Sequence, residues 1–205
     1  MLKNIFYAIL LGIGMAACLS QNDTSGDDET SNAAIEETIA DQPEQPVTPS
    51  AEQLQIAPGR VGFISVGEAI EPMRQNIPAA FGITDTTLQQ EGMESTAYII
   101  RPNGQNKGFI VEQECAPDCK VWRLNVQSEA FTTAKGIRVG SNYSQLQQTH
   151  PVSTVTLADG GLVAVAAEGG LSFVLDATQV PANQRARLTP ETVPANTLVK
   201  AILVY

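Results

Sequence analysis

The chain has 205 residues and a formal net charge of −10, but this charge is unevenly distributed. Residues 19–59 contain nine acidic side chains and no Lys or Arg, whereas residues 60–205 are close to neutral. The sequence has no basic stripe with interleaved aromatic residues, which argues against nucleic acid as a partner. The low isoelectric point of about 4.5 therefore reflects the N-terminal segment and gives no reason to expect a cation site elsewhere.

The N terminus has the pattern of a secretory signal peptide. Lys3 precedes an apolar run from Ile5 to Ala17, and no stop-transfer flank follows this run. These features are typical of a cleaved export signal and not of a membrane-spanning helix. We therefore predict a signal peptide over residues 1–17.

Small residues precede the first cysteine in the sequence Gly14-Met15-Ala16-Ala17-Cys18. This motif resembles the lipobox of bacterial lipoproteins, although Met15 stands where Leu is usual. The resemblance implies that Cys18 is acylated and anchors the protein in a lipid bilayer. The alternative is an ordinary cleavage site at which Cys18 has no role. Leu19, and not Asp, follows Cys18, which in the enterobacterial sorting rule favours the outer membrane, facing the periplasm.

Residues 18–59 are predicted to be a lipidated N terminus followed by an acidic, disordered tether. The segment consists mostly of Asp, Glu, Ser, Thr, Asn, Gln, Ala and Pro, with no aromatic side chain. Such a composition cannot bury enough apolar surface to offset the entropy lost on ordering the backbone. We expect it to hold the folded part away from the membrane.

The folded part is predicted to begin near Arg60. Residues 60–66 are rich in apolar and β-branched side chains and predict a strand. Gly67 then allows the chain to turn into an amphipathic helix that ends at Pro78. Three further strands are predicted at residues 96–101, 108–113 and 120–126.

A second series of similar elements follows. Residues 133–146 predict a short strand, a turn at Gly140 and the beginning of an amphipathic helix, which ends at Pro151. The remaining strands are predicted at residues 152–157, 162–167, 171–176 and 198–204. We therefore expect an α+β domain over residues 60–205, in which short helices cover an antiparallel sheet.

The two series can be aligned at an offset of 73 residues, which places Val66-Gly67 on Val139-Gly140. The same offset matches Ile64 with Ile137, Ile70 with Tyr143, Met73 with Leu146, and Pro78 with Pro151. This pattern predicts two related units, about 60–126 and 133–205, each consisting of a strand, a helix and a meander. Chance similarity is the alternative, because the strands show no identity that can be aligned.

Cys115 and Cys119 lie between two predicted strands, in the sequence Cys-Ala-Pro-Asp-Cys. Export places them in an oxidising compartment, where a cysteine pair usually forms a disulfide. A redox-active pair and a metal site are the alternatives, but the spacing differs from the thioredoxin-type motif and a metal would need further ligands. We expect a disulfide at a hairpin end, with Asp118 in its loop as a candidate contact residue.

Few other side chains indicate a catalytic or binding role. His150 is the single histidine, and the sequence contains no Gly-x-Ser-x-Gly or His-x-x-x-His motif. We expect His150 to face solvent or to cap the second helix. Lys135 and Arg138 alternate with apolar residues, so they are expected on the solvent face of a strand, where they could contact a small anion. We predict no catalytic residue, no cofactor and no metal.

Residues 132–146 read Thr-Thr-Ala-Lys-Gly-Ile-Arg-Val-Gly-Ser-Asn-Tyr-Ser-Gln-Leu. They resemble a segment of uncharacterised exported bacterial proteins, often lipoproteins, with the pattern T-A-x-G-I-x-V-G-S-x-x-x-x-L. The Val-Gly-x-x-x-x-x-Leu part is also similar to the start of a helix in small lipoproteins of the outer-membrane assembly machinery and in the β-lactamase-inhibitor fold. The resemblance implies an α+β accessory or binding module and transfers no catalytic residue.

Three hypotheses for the function follow. The first is a membrane-anchored envelope lipoprotein that acts as a non-enzymatic binding or assembly module for another envelope protein. The second is an inhibitor or protective protein directed at a hydrolase, by analogy with the inhibitor fold and with Asp118 as its contact residue. The third is a cell-wall hydrolase, which would require a cleft that joins His150 to a nucleophile and an acid.

Overall fold

The structure is a computed structural model that describes residues 47–90, 92–158 and 161–205. The predicted signal peptide at residues 1–17 lies outside the described residues, as do the predicted lipidation site Cys18 and the larger part of the predicted tether.

The described residues form two sheets and several short helices. The helices are α1 Ile70–Gln75, α2 Tyr143–Thr149 and α3 Ala182–Arg185, with 3-10 turns at Glu52–Leu54 and Ala177–Gln179. The strands are β1 Gln55–Ala57, β2 Arg60–Val61, β3 Ile64–Ser65, β4 Phe81–Gln90, β5 Met93–Pro102, β6 Phe109–Cys115, β7 Cys119–Val126, β8 Thr132–Thr133, β9 Val152–Ala158, β10 Gly161–Ala166, β11 Leu171–Leu175 and β12 Val199–Val204. The predicted α+β fold, an antiparallel sheet with short helices, is confirmed.

The large sheet has eight strands in the order β4-β5-β6-β7-β12-β11-β10-β9, and all its neighbouring strands are antiparallel. It consists of two four-stranded meanders, β4 to β7 and β9 to β12, which meet where their last strands pair. At this junction Leu124 faces Val204, and Val126 faces Ile202. The small sheet has the order β3-β2-β1-β8, in which β1 and β8 are parallel.

One face of the large sheet carries the hydrophobic core. Side chains alternate between the two faces of a strand, and core residues such as Leu124, Phe173 and Ile202 point to the same side. Helices α1 and α2 add Met73 and Leu146 to this cluster. The short helices therefore bury one stripe each against the sheet, as their apolar spacing predicts.

We call the opposite side of the large sheet the second face. It is formed by the residues that alternate with the core side chains, among them Ala97, Ile110, Glu112, Arg123, Asn125, Val163, Ser172, Val174, Ala201 and Leu203. None of these residues belongs to the core cluster of the described part of the chain. The candidate site lies on this face.

The folded part begins before the predicted boundary at Arg60. A 3-10 turn and β1 occupy residues 52–57, which fall within the predicted tether. Ile56 is only 1% exposed and pairs with Val61 on one side and with Thr133 on the other. A single buried isoleucine in a polar segment is too weak a signal to predict a strand, because its partners are distant in sequence.

The predicted strand at residues 60–66 is wrong in extent, because the chain forms the short strands β2 and β3 with a turn between them. Gly62 occupies this turn with a φ of 54°. A Cβ atom at Gly62 would lie 2.2 Å from the carbonyl oxygen of Gln53. The close approach of the two backbones therefore requires glycine and interrupts the strand.

The short strand predicted before the second helix is also interrupted. Strand β8 covers only Thr132–Thr133, and the chain then turns at Gly136, where φ is 83°. Helix α2 begins after Asn142, whose side chain accepts a hydrogen bond from the backbone N–H of Gln145 at 2.9 Å. Asn142 is therefore the N-cap residue of α2.

Candidate binding surface

Cys115 and Cys119 form a disulfide, as predicted, with an S–S distance of 2.04 Å. They are the last residue of β6 and the first residue of β7, and they face each other in the sheet. The connecting residues 116–118 are exposed. The disulfide therefore closes the β6–β7 hairpin directly at its turn.

An open cavity of about 330 Å³ lies beside the disulfide loop. Asp118, the predicted contact residue, lines this cavity together with Glu114, Lys120 and Trp122. The turn that precedes α1 forms another part of the wall. Asp118 thus lies at an accessible end of the sheet, next to an exposed aromatic ring.

Three side chains meet on the second face where β7 bulges. The register of β6 and β7 shifts so that Arg123 faces Glu112, Val121 faces Gln113, and Trp122 is left as an extra residue. The guanidinium carbon of Arg123 lies 4.6 Å from the centre of the Trp122 ring. Cation–π attraction at this distance holds the two side chains together.

Tyr205 completes this group, which we call the Trp–Arg–Tyr cluster (Trp122, Arg123 and Tyr205). The guanidinium carbon of Arg123 lies 5.9 Å from the centre of the Tyr205 ring, and its Nη1 lies 3.5 Å from the Tyr205 hydroxyl. Arg123 is 3% exposed, whereas Trp122 and Tyr205 are 42% and 41% exposed. Two accessible aromatic rings therefore flank a buried cation.

A carboxylate fixes the position of that cation. Nη2 of Arg123 donates to Oε2 of Glu112 at 2.7 Å, and both side chains are almost fully buried. Charge-assisted hydrogen bonds of this length are among the stronger ones in proteins. The ion pair therefore holds the guanidinium in place next to the two rings and reduces the conformational freedom of the whole cluster.

Lys135 and Arg138, the predicted anion contacts, have different surroundings. The ammonium group of Lys135 forms an ion pair with Glu168. Arg138 lines an open, polar cavity of about 280 Å³ together with Ser141 and Gln145. Lys135 is not among the residues that line this cavity, so the structure does not bring the two predicted contacts together there.

His150 is the C-cap residue of α2, but it does not face solvent as expected, since it is only 4% exposed. Its Nε2 lies 3.2 Å from Oγ1 of Thr133, and its Nδ1 lies 3.9 Å from Oε2 of Glu168. Burial is the main cause that lowers the pKa of His150, and the positive charge of Lys135 lowers it further, while Glu168 opposes them. The imidazole is therefore neutral at pH 7.

Thr133, His150 and Glu168 are placed in the spatial order of the nucleophile, base and acid of a catalytic triad. Their hydrogen bonds and distances, however, differ from those of a triad. Oγ1 of Thr133 accepts a hydrogen bond from the backbone N–H of Ile137 at 3.1 Å, and Thr133 is 4% exposed. The distance of 3.9 Å from His150 to Glu168 exceeds hydrogen-bond length. Thr133 and His150 are buried, whereas the Glu168 side chain is 50% exposed. Thr133 lines an open cavity of about 530 Å³ beside β1, but neither His150 nor Glu168 belongs to its lining.

Residues 47–90, 92–158 and 161–205 contain no group of three or more His, Cys, Asp or Glu side chains placed to hold a metal ion. Over the same residues, no helix has both the length and the hydropathy needed to cross a membrane.

Comparison with known proteins shows similarity in fold alone. No protein-family model matches the chain, and no curated protein matches it. Among solved structures, the chain is similar to the uncharacterized protein yfeY from Escherichia coli, with a TM-score of 0.50 and 16% sequence identity. The similarity covers 68% of this chain and 94% of that protein.

Proposed function

We propose that the protein is a membrane-anchored lipoprotein of the bacterial envelope and that its folded part is a non-enzymatic binding or assembly module. The lipobox-like motif at Cys18 and the acidic segment after it support the anchor. The absence of Asp after Cys18 favours the outer membrane, facing the periplasm. The partner of this module would be another protein of the envelope.

The observation that carries the binding role is the Trp–Arg–Tyr cluster on the second face. Tryptophan, tyrosine and arginine are the residue types that contribute most to the affinity of protein interfaces. In this cluster Trp122 and Tyr205 offer apolar area that is still accessible to solvent. Binding a partner there would remove this area from water, at about 25 cal/mol per Å² of apolar surface.

The rigidity of the cluster is a second support. Arg123 is held by Glu112 on one side and lies close to the Trp122 ring on the other. Side chains that are ordered before binding lose less conformational entropy when a partner arrives. The cluster is therefore suited to act as a preformed anchor on a rigid sheet.

The proposal includes the two related units predicted from the sequence, and equivalent contacts support their relationship. The N–H of Gly67 donates to the carbonyl of Val121 at 2.7 Å, and the N–H of Gly140 donates to the carbonyl of Val199 at 2.8 Å. Each glycine turn precedes the helix of its unit and contacts the last strand of the same meander. The sequence offset of 73 residues aligns these two glycines.

The bulges in the two last strands are also equivalent. In β7, Trp122 is the extra residue after Val121. In β12, Lys200 is the extra residue after Val199, since Leu175 pairs with Val199 and Val174 pairs with Ala201. A tryptophan thus stands in one unit where a lysine stands in the other. Two copies of one ancestral unit would have kept the bulge and diverged at the exposed side chain.

An inhibitor or protective protein directed at a hydrolase is the second candidate. The observation that favours it is the position of Asp118, which is exposed in a loop closed by the disulfide and lines a cavity beside Trp122. A short constrained loop loses little entropy on binding, so it can enter a partner's active site. The same sheet end would then carry both the acidic contact and the aromatic one.

A photo-crosslinking experiment in living cells tests the binding role. A photoreactive amino acid placed at Trp122 or Tyr205 of the full-length protein should capture one specific envelope protein. The same probe at Gln105, an exposed residue in the loop between β5 and β6, serves as the matched control. The identity of the captured protein separates the two candidates, because the second requires a hydrolase that is also captured from Asp118. Equal capture from Gln105 and Trp122 would contradict both.

Mass spectrometry of the mature protein tests the anchor separately. The proposal requires an N-terminal Cys18 that carries acyl chains, and a Cys18→Ser variant that leaves the membrane fraction. An unmodified Cys18, or cleavage at another bond, would overturn the anchor and leave the binding role to be judged by crosslinking.

A further inference from the structure

The large sheet ends in two edge strands, β4 and β9, each of which has one neighbour in the sheet. The free side of such a strand presents backbone N–H and C=O groups that can pair with another strand. Natural proteins usually protect these edges with charged side chains, with proline or with a covering segment. The two edges of this protein differ in this respect.

The edge at β4 carries charge. Asp85 lies within the strand, and its Oδ2 is 3.2 Å from Nη2 of Arg74 in α1. The adjacent strand β5 adds Glu94 and Arg101. These charges oppose the approach of a second strand, because pairing would remove them from water.

The edge at β9 carries no charge. Neither β9, with the sequence Val-Ser-Thr-Val-Thr-Leu-Ala, nor its neighbour β10 contains a charged residue or a proline. Leu157 is 52% exposed, and Thr154 and Thr156 are also exposed. The outer strand of this edge therefore combines β-branched residues with an accessible leucine, which favours strand pairing.

We propose that β9 pairs antiparallel with β9 of a second copy of this chain, with Thr156 on the two-fold axis. In this register Leu157 of each copy faces Val155 of the other, on the side of the sheet that carries the core. Leu157 thereby gains an apolar cross-strand neighbour, and threonine faces threonine at the axis. The interface uses the same strand of both copies, as two-fold symmetry requires.

The chemistry of the edge favours a second copy over an unrelated strand. A strand that pairs with itself brings each of its charges close to the same charge on the other copy, and β9 has none to bring. The chain already contains a junction of this kind, because β7 and β12 pair antiparallel and symmetrically about Asn125 and Leu203. Joining β9 to β9 repeats that geometry between molecules.

Charge substitution at the axis tests the proposal. The full-length protein in detergent is compared with Thr156→Lys, with Thr156→Glu and with an equimolar mixture of the two variants, by analytical ultracentrifugation. Thr156 is exposed, so neither change should unfold the protein, which circular dichroism checks. The matched control is Thr87→Lys, at an exposed position of β4.

The proposal expects a dimer of the unsubstituted chain and of Thr87→Lys. Each Thr156 variant alone should self-associate at least tenfold more weakly, because like charges meet at the axis, and the mixture should recover a heterodimer. If two molecules associated only because they share one detergent micelle, all variants would associate to the same extent. A monomeric unsubstituted chain, equal association of Thr156→Lys and Thr87→Lys, or failure of the mixture to form a heterodimer would each overturn the proposal.

Discussion

Glu112 and Arg123 face each other across β6 and β7, with 2.7 Å between Oε2 and Nη2, and their side chains are only 6% and 4% exposed. Removing charged groups from water costs several kcal/mol per ion, and this cost is offset only while both partners are present. Substitution of one member therefore leaves the other as a buried charge without its partner in the pair.

Glu112→Ala should lower the free energy of unfolding by about 3–5 kcal/mol, because it takes the carboxylate away from a buried guanidinium. Urea denaturation measures the change. The control is Glu114→Ala, an exposed residue two positions further along the same strand, for which a change within about 0.5 kcal/mol is expected. Equal effects of the two variants would show that the buried pair does not stabilise the fold.

The stability of the protein should fall as the pH decreases from 6.5 toward the lowered pKa of folded His150. Burial lowers the pKa of folded His150 below 6.5, whereas the unfolded chain titrates near that value. In this window the unfolded state binds more protons than the folded state, so acid favours unfolding, and above 6.5 this contribution is constant. Denaturation curves at several pH values measure the slope.

His150→Gln is the control for this prediction. Glutamine can still bond to Oγ1 of Thr133 but does not titrate, so the pH dependence of stability below 6.5 should become flatter. An unchanged slope in the variant would assign the acid sensitivity to other groups.

The positive φ angles at Gly62 and Gly67, 54° and 83°, permit a matched test of backbone crowding. Alanine in a left-handed conformation costs about 1–2 kcal/mol by itself. Gly67→Ala should cost about this amount, because its Cβ atom would meet nothing within 4 Å. Gly62→Ala should cost clearly more, because its Cβ would clash with the backbone of Gln53. Thermal unfolding of both variants measures the difference, and equal losses would contradict the close approach.

Replacement of both Cys115 and Cys119 by serine should lower the free energy of unfolding by about 2 kcal/mol or less. The disulfide closes a very short loop and therefore removes little entropy from the unfolded chain. The β6–β7 pairing extends from Phe109 to Cys115, so it should persist without the disulfide. Circular dichroism and urea denaturation check this, and loss of the folded state would contradict the prediction.

The fold class followed from local patterns, because apolar spacing and glycine turns specify helices and strands within a few residues. Strand β4 was missed, since an edge strand with polar residues such as Asp85 and Thr87 on its surface has no apolar alternation to detect. The Trp–Arg–Tyr cluster was missed for a different reason. Strict alternation places Trp122 on the face of Leu124, and only the bulge, together with the pairing of β7 with β12, brings it near Tyr205.

The burial of His150 could not be predicted either. Thr133 and His150 are 17 positions apart, and Glu168 reaches them from the turn between β10 and β11. Contacts of this kind depend on how the strands assemble, whereas a single histidine beside a proline has no distinguishing sequence pattern. The disulfide could be predicted because Cys115 and Cys119 are close in sequence and lie in one hairpin loop.

The position of β12 has a consequence for the order in which the sheet folds. β12 is formed by residues 199–204, yet it lies between β7 and β11 near the middle of the sheet. A chain that emerges with its N terminus first completes the meander β4 to β7 well before β12 exists, so β7 is for a time an unpaired edge. Unpaired strand edges in a partly folded chain favour aggregation. Lys120 places an exposed positive charge on that strand until β12 pairs with it, and charged residues at such an edge oppose pairing with a wrong strand.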